Sequence, residues 1–300
     1  MRAGACLLLV ILQATFSVRT EMVVLPVTVT DARGHSVAGL TPASFKIFDS
    51  GRLQAITMFQ GGEVPLTIGL IVDHSQSMGS KLDAVNAAVL AFARAGHPDD
   101  ELFVITFNNT VRVLPLAGGK PFTSDPVALV SALSADPPVG TTALYDAVAE
   151  GLRHLDAGHA DRKALIVVSD GGDNASRMKY AQVKDAARKS LAVIYGVALL
   201  GAESQDEDPA ALKQLCRDSG GMAYFPSPDA DISSVFKQIA QDLRDQYTIG
   251  FAPGGSAPGG SASGPAKAGQ AFHPISVTAI GPEGGKLKVR TRAGYSAKEP

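Results

Sequence analysis

Between Pro65 and Gln246 the chain alternates short apolar runs with amphipathic stretches, and this alternation restricts the fold more than any other feature. Leu66–Val72 is nearly continuous in apolar residues, as expected of a strand covered on both faces. Leu82, Val85, Val89 and Phe92 then recur at three- and four-residue steps, which predicts a helix over 82–95. Apolar runs at 102–107, 164–168, 192–197 and 221–225 predict further strands; 127–133, 143–155, 180–189, 209–218 and 232–244 read as helices. Val111–Leu114 is short and follows the Asn108-Asn109 turn, so it is expected to be an antiparallel edge strand. Strands separated by helices imply an α/β fold: a doubly wound, mostly parallel sheet with helices on both faces.

The flanks follow a different period. In 22–62, Val23, Leu25, Val27 and Val29 alternate with less apolar neighbours and lead into an Asp31-Ala32-Arg33-Gly34 turn, the pattern of half-buried antiparallel strands. Residues 248–300 begin with a strand-like segment and pass into a Gly/Ser/Pro-rich loop at 252–269, which has nothing to bury. They then resume period two at 275–280 and 287–290. Strands this short are not stable alone, so the two ends are expected to pair in one small β subdomain. The implied organisation is an α/β domain over 63–247 inserted between β segments at 22–62 and 248–300.

Residues 1–21 are expected to be a signal peptide. Met1-Arg2 is positive, and the apolar run that follows is shorter than the roughly 20 residues a spanning helix needs. The Phe16–Thr20 region lacks a small-x-small cleavage pair, leaving a buried N-terminal strand or a retained membrane anchor as alternatives. The two cysteines are Cys6 and Cys216, so a cleaved chain keeps one; Cys216 sits at helical spacing from Leu212 and reads as a small core residue. With 27 Lys+Arg against 29 Asp+Glu and no basic stripe, no nucleic-acid partner is implied, and a membrane is implied only if the N-terminal segment is retained.

Ligands of open α/β sheets bind outside the carboxyl ends of the strands. There the chain places Asp73-His74-Ser75-Gln76-Ser77-Met78, the segment Gly140-Thr141-Thr142-Ala143-Leu144-Tyr145-Asp146, and Ser169-Asp170-Gly171-Gly172-Asp173. Each segment offers hard oxygen donors with no imidazole or thiolate pair beside them. Hydroxyls and carboxylates completed by water suit Mg²⁺, or Mn²⁺, held in octahedral oxygen coordination.

Asp73-x-Ser75-x-Ser77, followed by Thr142 and Asp170, resembles the metal-ion-dependent adhesion site of von Willebrand factor type A domains. The neighbouring Thr-Ala-Leu-Tyr-Asp-Ala at 142–147 and Val-Ser-Asp-Gly-Gly-Asp at 168–173 extend the match. VTVTDARGHSVAGLTPASFKIFDSG ahead of the domain, and LRDQYTIGFAP and VRTRAGYS behind it, are similar to a bacterial secreted branch of that family. The resemblance implies that Ser75, Ser77 and Thr142 contact the metal and that Asp73 and Asp170 act directly or through water. It also implies that the ion accepts an acidic side chain from a protein ligand.

Plainer roles compete for several residues. Asp73, Ser75 and Ser77 could cap the following helix, Asp173 reads as a solvated turn residue and Asp146 as a helix residue able to orient the Thr142 loop. His74, His154 and His159 read as solvent-facing, and Tyr224, Phe225 and Tyr247 as core. No G-x-G-x-x-G follows the first strand, and the chain lacks both a G-x-x-x-x-G-K-[ST] loop and a G-x-S-x-G elbow. The expected function is therefore non-enzymatic: Mg²⁺-dependent protein binding in a secreted, periplasmic or cell-envelope location. An envelope-assembly module with a vestigial metal site is the first alternative, and a metal-dependent hydrolase the second.

Overall fold

A computed structural model describes residues 22–134, 137–170, 172–200, 209–227, 230–253 and 272–296. The expected signal peptide, and the Gly/Ser/Pro-rich loop from residue 254 onward, lie outside the described residues. Four strands come first: β1 (Val23–Thr30), β2 (Phe45–Asp49), β3 (Arg52–Gln54) and β4 (Met58–Gln60). The α/β region runs β5 (Leu66–Asp73), α1 (Leu82–Arg94), β6 (Glu101–Phe107), β7 (Val111–Val113), α2 (Pro126–Leu133), α3 (Leu144–Leu155) and β8 (Arg162–Ser169). It continues with α4 (Tyr180–Lys189), β9 (Val193–Ala198), α5 (Pro209–Ser219), β10 (Ala223–Tyr224) and α6 (Ile232–Arg244). The chain closes with β11 (Tyr247–Phe251), β12 (His273–Ile280), β13 (Lys286–Thr291) and β14 (Gly294–Tyr295).

Among the described residues the α/β sheet has the order β10-β9-β8-β5-β6-β7, parallel except for β7, which pairs antiparallel with β6 at the edge. All eight residues of β5 are buried, because helices cover both faces of the sheet. On one face α1, α2 and α6 press Val85, Val89, Leu129, Phe236 and Ile239 onto Ile68, Leu70 and Ile166. On the other, α3, α4 and α5 bring Val148, Leu152, Val183, Leu212 and Cys216 against Ile71, Phe103 and Leu165. Gly151 lets α3 approach closely: a Cβ there would lie 2.8 Å from Ile71 Cδ1. From β5 the chain winds outward to β6, then returns to lay β8 on the opposite side of β5. The crevice at that reversal opens over the carboxyl ends of β5 and β8.

The second sheet is antiparallel, ordered β3-β2-β12-β13-β1-β11-β4, with β14 added on β12. It draws strands from before and after the α/β region: β1 pairs with β11 in the register Leu25↔Ile249 and with β13 in the register Val29↔Val289. Its core packs Leu25, Val27, Phe45, Ile47, Tyr247 and Ile249. Buried Arg162 at the start of β8 joins the two sheets by donating to Thr248 Oγ1 at 3.2 Å and to the Gly62 carbonyl at 3.1 Å.

Several side chains sit differently from expectation. Phe225 is 41% exposed, because β10 ends one residue earlier and releases it at the sheet margin. His154 is half-buried, its ring 4.4 Å from Phe103 and 5.4 Å from Phe122 between centroids. His74 is buried under the segment that precedes Thr142, whose Val139 N–H donates to the His74 carbonyl. His159 is exposed as expected, with its Nδ1 2.8 Å from Glu101.

Candidate metal centre

Asp73 ends β5 and is fully buried. Its Oδ1 accepts the Ser75 backbone N–H at 2.8 Å and its Oδ2 accepts the Ser169 hydroxyl at 2.7 Å, so one carboxylate ties the ends of β5 and β8 together. The first hydrogen bond folds the chain into a tight turn, and the 3₁₀ turn at Gln76–Met78 follows with Met78 buried in the core as its anchor. In this geometry the Ser75 and Ser77 hydroxyl oxygens lie 3.2 Å apart, and Ser77 donates to the Asp170 carboxylate. Asp170 follows β8 directly, is buried, and has the Lys81 ammonium 4.0 Å away. That ammonium donates to the Leu199 carbonyl at 2.7 Å.

Thr142 reaches the same crevice on the segment before α3. Backbone bonds from Gln76 N–H to the Gly140 carbonyl, and from Val139 N–H to the His74 carbonyl, lay this segment against the Asp73–Ser77 loop. Gly140 has φ +79°, so the turn favours glycine; a Cβ there would also come within 2.8 Å of Asn109 Oδ1, the tip of an exposed side chain that would have to shift. Thr142 is buried whereas Thr141 is exposed. Its N–H donates to Asn174 Oδ1 at 2.8 Å, and its carbonyl accepts the N–H groups of Asn174 and Ala175. The structure thus gathers Asp73, Ser75, Ser77 and Asp170 into one hydrogen-bonded group and sets Thr142 on the loop that abuts it.

None of Asp73, Ser75 or Ser77 caps α1, which begins at Leu82 without a side-chain cap. Asp173 is not a solvated turn residue: its Oδ1 accepts from Tyr145 N–H at 3.2 Å and from the Ser176 hydroxyl at 2.5 Å, tying its loop to the first turn of α3. Asp146 accepts the backbone N–H groups of Arg177 and Met178. Asn174 and Lys81 escaped sequence reasoning. Their partners lie 32 and 118 residues away, and nothing in the local pattern points to either contact.

A family model for the von Willebrand factor type A domain matches residues 67–239, more than half of the chain. The chain belongs to the von Willebrand factor type A family. Among solved structures, a von Willebrand factor type A protein from Catenulispora acidiphila aligns over 84% of this chain and 76% of its own, at 14% identity and a TM-score of 0.52. An aerotolerance-related membrane protein from Bacteroides fragilis aligns over 59% of this chain and 98% of its own, at 17% identity and a TM-score of 0.46. The PilB minor pilin from Streptococcus sanguinis aligns over 61% and 63%, at 13% identity and a TM-score of 0.46. At 14% identity the likeness to the Catenulispora acidiphila protein speaks to fold alone. Comparison with curated proteins gives no match.

The electrostatics of this type A domain follow from burial. Loss of water raises the Asp73 carboxyl to about 6, and the hydrogen bonds from Ser169 and Ser75 offset part of that rise. His74 is pushed down to about 4, first by burial and then by the Arg112 charge, so it stays neutral. Among the described residues no group of three or more His, Cys, Asp or Glu stands ready for a metal. The donors present are two carboxylates and hydroxyls, a set that suits Mg²⁺ or Mn²⁺ and lacks the ligands that select zinc. A serine hydroxyl that donates its proton to Asp170 keeps lone pairs to offer a cation, so the hydrogen bonds and the donor role are compatible.

Proposed function

We propose that the protein is a non-enzymatic binding module that captures an acidic side chain of a protein partner through Mg²⁺ or Mn²⁺. Asp73, Ser75, Ser77, Thr142 and Asp170 would hold the ion, which when bound supplies an electrophile for the partner's carboxylate. One observation carries this reading: the joined Asp73–Ser75–Ser77–Asp170 group at the crevice where type A domains present their binding face. Both Asp73 oxygens already accept protein hydrogen bonds, which suits Asp73 to hold the Ser loop and to act on the ion through water. Asp170 is then the direct carboxylate, and few direct carboxylates leave a cation electron-poor and receptive to one more.

The expected leader would put this activity outside the cytoplasm, in a secreted or cell-envelope location. Among the described residues no helix is long and apolar enough to cross a membrane. Lys81 favours a second reading. Its ammonium beside Asp170 is a resident positive charge, and an envelope-assembly module with a vestigial metal site would need no other.

Isothermal titration of the full chain with Mg²⁺ decides between them. One binding site is expected in the wild type and none in Asp170→Ala. Thr142→Ala should stay folded and bind Mg²⁺ more weakly, because it removes one hydroxyl and no core packing. Absence of Mg²⁺ and Mn²⁺ binding in the wild type, or unchanged affinity in Asp170→Ala, would overturn the metal assignment.

A further inference from the structure

Lys81 stands where the Asp73–Met78 loop turns into α1. Its backbone is fixed at that corner: its N–H donates to the Met78 carbonyl at 2.9 Å, and its carbonyl accepts the Val85 N–H at 3.1 Å. Met78 is buried in the core, so the corner itself is anchored. From there the Lys81 side chain runs over the ends of β8 and β9. Its ammonium donates to the Leu199 carbonyl at 2.7 Å and lies 4.0 Å from Asp170 Oδ2. Leu199 is pinned in turn, since its N–H donates to the Ser169 carbonyl at 2.9 Å. The lysine side chain is 22% exposed and the Asp170 side chain 6%, so water and salt screen the pair poorly. Asp170 Oδ2 is also the oxygen that accepts the Ser77 hydroxyl. The ammonium therefore sits beside the same hydroxyl–carboxylate contact that the metal-dependent reading assigns to the ion.

We propose that Lys81 is a built-in competitor of the metal: its ammonium serves Asp170 as counter-ion in the metal-free protein, and Mg²⁺ binds by taking that carboxylate from it. The inference rests on the metal-dependent reading and adds how the same centre is regulated. Two features suit a competitor better than a fixed strut. At 4.0 Å the ammonium is beyond hydrogen-bond reach of Asp170, so the attraction is one of charge and needs no fixed direction. Its hydrogen bond goes to Leu199 instead, so an ammonium that yields Asp170 keeps a partner. A divalent ion on Asp170 and an ammonium this near repel, and the repulsion lowers metal affinity. Without the ion, Asp170 is spared burial as an unpaired charge. The result is a centre that is stable without metal and holds its metal loosely, so that a partner's carboxylate, as one more ligand, tips the competition towards the ion.

The test compares the full chain with Lys81→Met and Lys81→Gln by isothermal titration with Mg²⁺ and by thermal melts in EDTA and in saturating Mg²⁺. Methionine keeps the length of the stem without the charge, and glutamine adds back a donor for the Leu199 carbonyl. Both variants are expected to bind Mg²⁺ about tenfold tighter than wild type. Both should melt below wild type in EDTA, where Asp170 has lost its counter-ion, and that deficit should close in saturating Mg²⁺. A purely structural lysine would give the same deficit in both conditions and leave metal affinity unmoved. Unchanged or weaker Mg²⁺ binding in both variants, or a deficit equal in EDTA and in Mg²⁺, would overturn the proposal while leaving the metal centre standing. Failure of wild type and of both variants to bind Mg²⁺ or Mn²⁺ would overturn the metal-dependent reading itself, and the competition with it.

Discussion

Asp242 on α6 offers the sharpest energetic test of how the two sheets are joined. Its carboxylate is fully buried, and its Oδ1 accepts the Ser36 hydroxyl at 2.9 Å and the Gln238 amide at 3.0 Å. Its Oδ2 pairs with the Arg290 guanidinium, and Tyr224 O–H is 3.5 Å away. Ser36 and Arg290 belong to the antiparallel sheet and its loops, while Asp242 and Tyr224 belong to the α/β region, so one side chain spans both. Asp242→Ala leaves a guanidinium that is 24% exposed without its counter-ion. Removing one partner of a buried pair costs about 3–5 kcal/mol. At roughly 2–4 °C per kcal/mol for a chain of this size, the melting temperature should fall by about 10 °C. The double variant Asp242→Leu, Arg290→Met should recover most of that loss, because neither charge is then left to be desolvated. Thermal and urea melts of wild type, Asp242→Leu, Arg290→Met and the double variant give the coupling energy directly. A cost for Asp242→Ala below about 1 kcal/mol, or additive single and double effects, would refute the argument that this carboxylate clamps the sheets.

Three further outcomes are expected. Asp73→Asn keeps an acceptor for Ser75 N–H and loses the metal-dependent stabilisation, which should reach about 2.7 kcal/mol in wild type at a hundredfold excess of Mg²⁺ over Kd. In EDTA the same variant should be more stable than wild type at neutral pH. The folded carboxyl titrates near 6 against an ordinary 3.8, so wild-type stability present below about pH 4 is lost as pH rises through 6, and melts at pH 4 and 7 check the sign. Deleting residues 270–300 removes the β13 partner of Val27–Thr30, so hydrogen exchange there should accelerate; undiminished protection would show the sheet edge to be independent. Asn174→Ala should weaken Mg²⁺ binding as much as Thr142→Ala does, and equal wild-type affinity in Asn174→Ala would remove it from the site's support.

The α/β order was legible because burial on two faces erases alternation: β5 is apolar from Leu66 to Val72 apart from Thr67, and every one of its residues is buried. The helices were legible for the opposite reason, since each buries a single stripe, as Val85, Val89 and Phe92 do on α1. The grouping at the strand ends was legible because Asp73, Ser75 and Ser77 are neighbours in the chain as well as in space. Contacts across long separations left no such trace. His74 is buried by Val139 and its neighbours folding over it, His154 is drawn in by Phe103 and Phe122, and Tyr295 reaches Asp49 from 246 residues away. Phe225 failed for a related reason: an apolar run predicts a strand but not where its last hydrogen bond falls, and β10 stops at Tyr224.

What the structure adds to the motif is a division of labour between the candidate donors and the residues that support them. Thr142 is held by its backbone, through Asn174 and Ala175, so its hydroxyl has no part in holding the loop. Asp173 and Asp146 spend their carboxylates on the backbone around α3 and the 176–178 turn, although both stand close in sequence to candidate ligands. Asp73 spends both oxygens on Ser75 and Ser169, leaving Asp170 as the carboxylate of the group that, among the described residues, faces the Ser77 hydroxyl and the Lys81 ammonium. A site supported in this way keeps its shape when a donor is lost and loses it when a support is lost. Substitution at the supports should therefore matter to the site as much as substitution at the motif: Asn174 and Asp173, outside the motif, hold the backbone on which the Thr142 hydroxyl is carried.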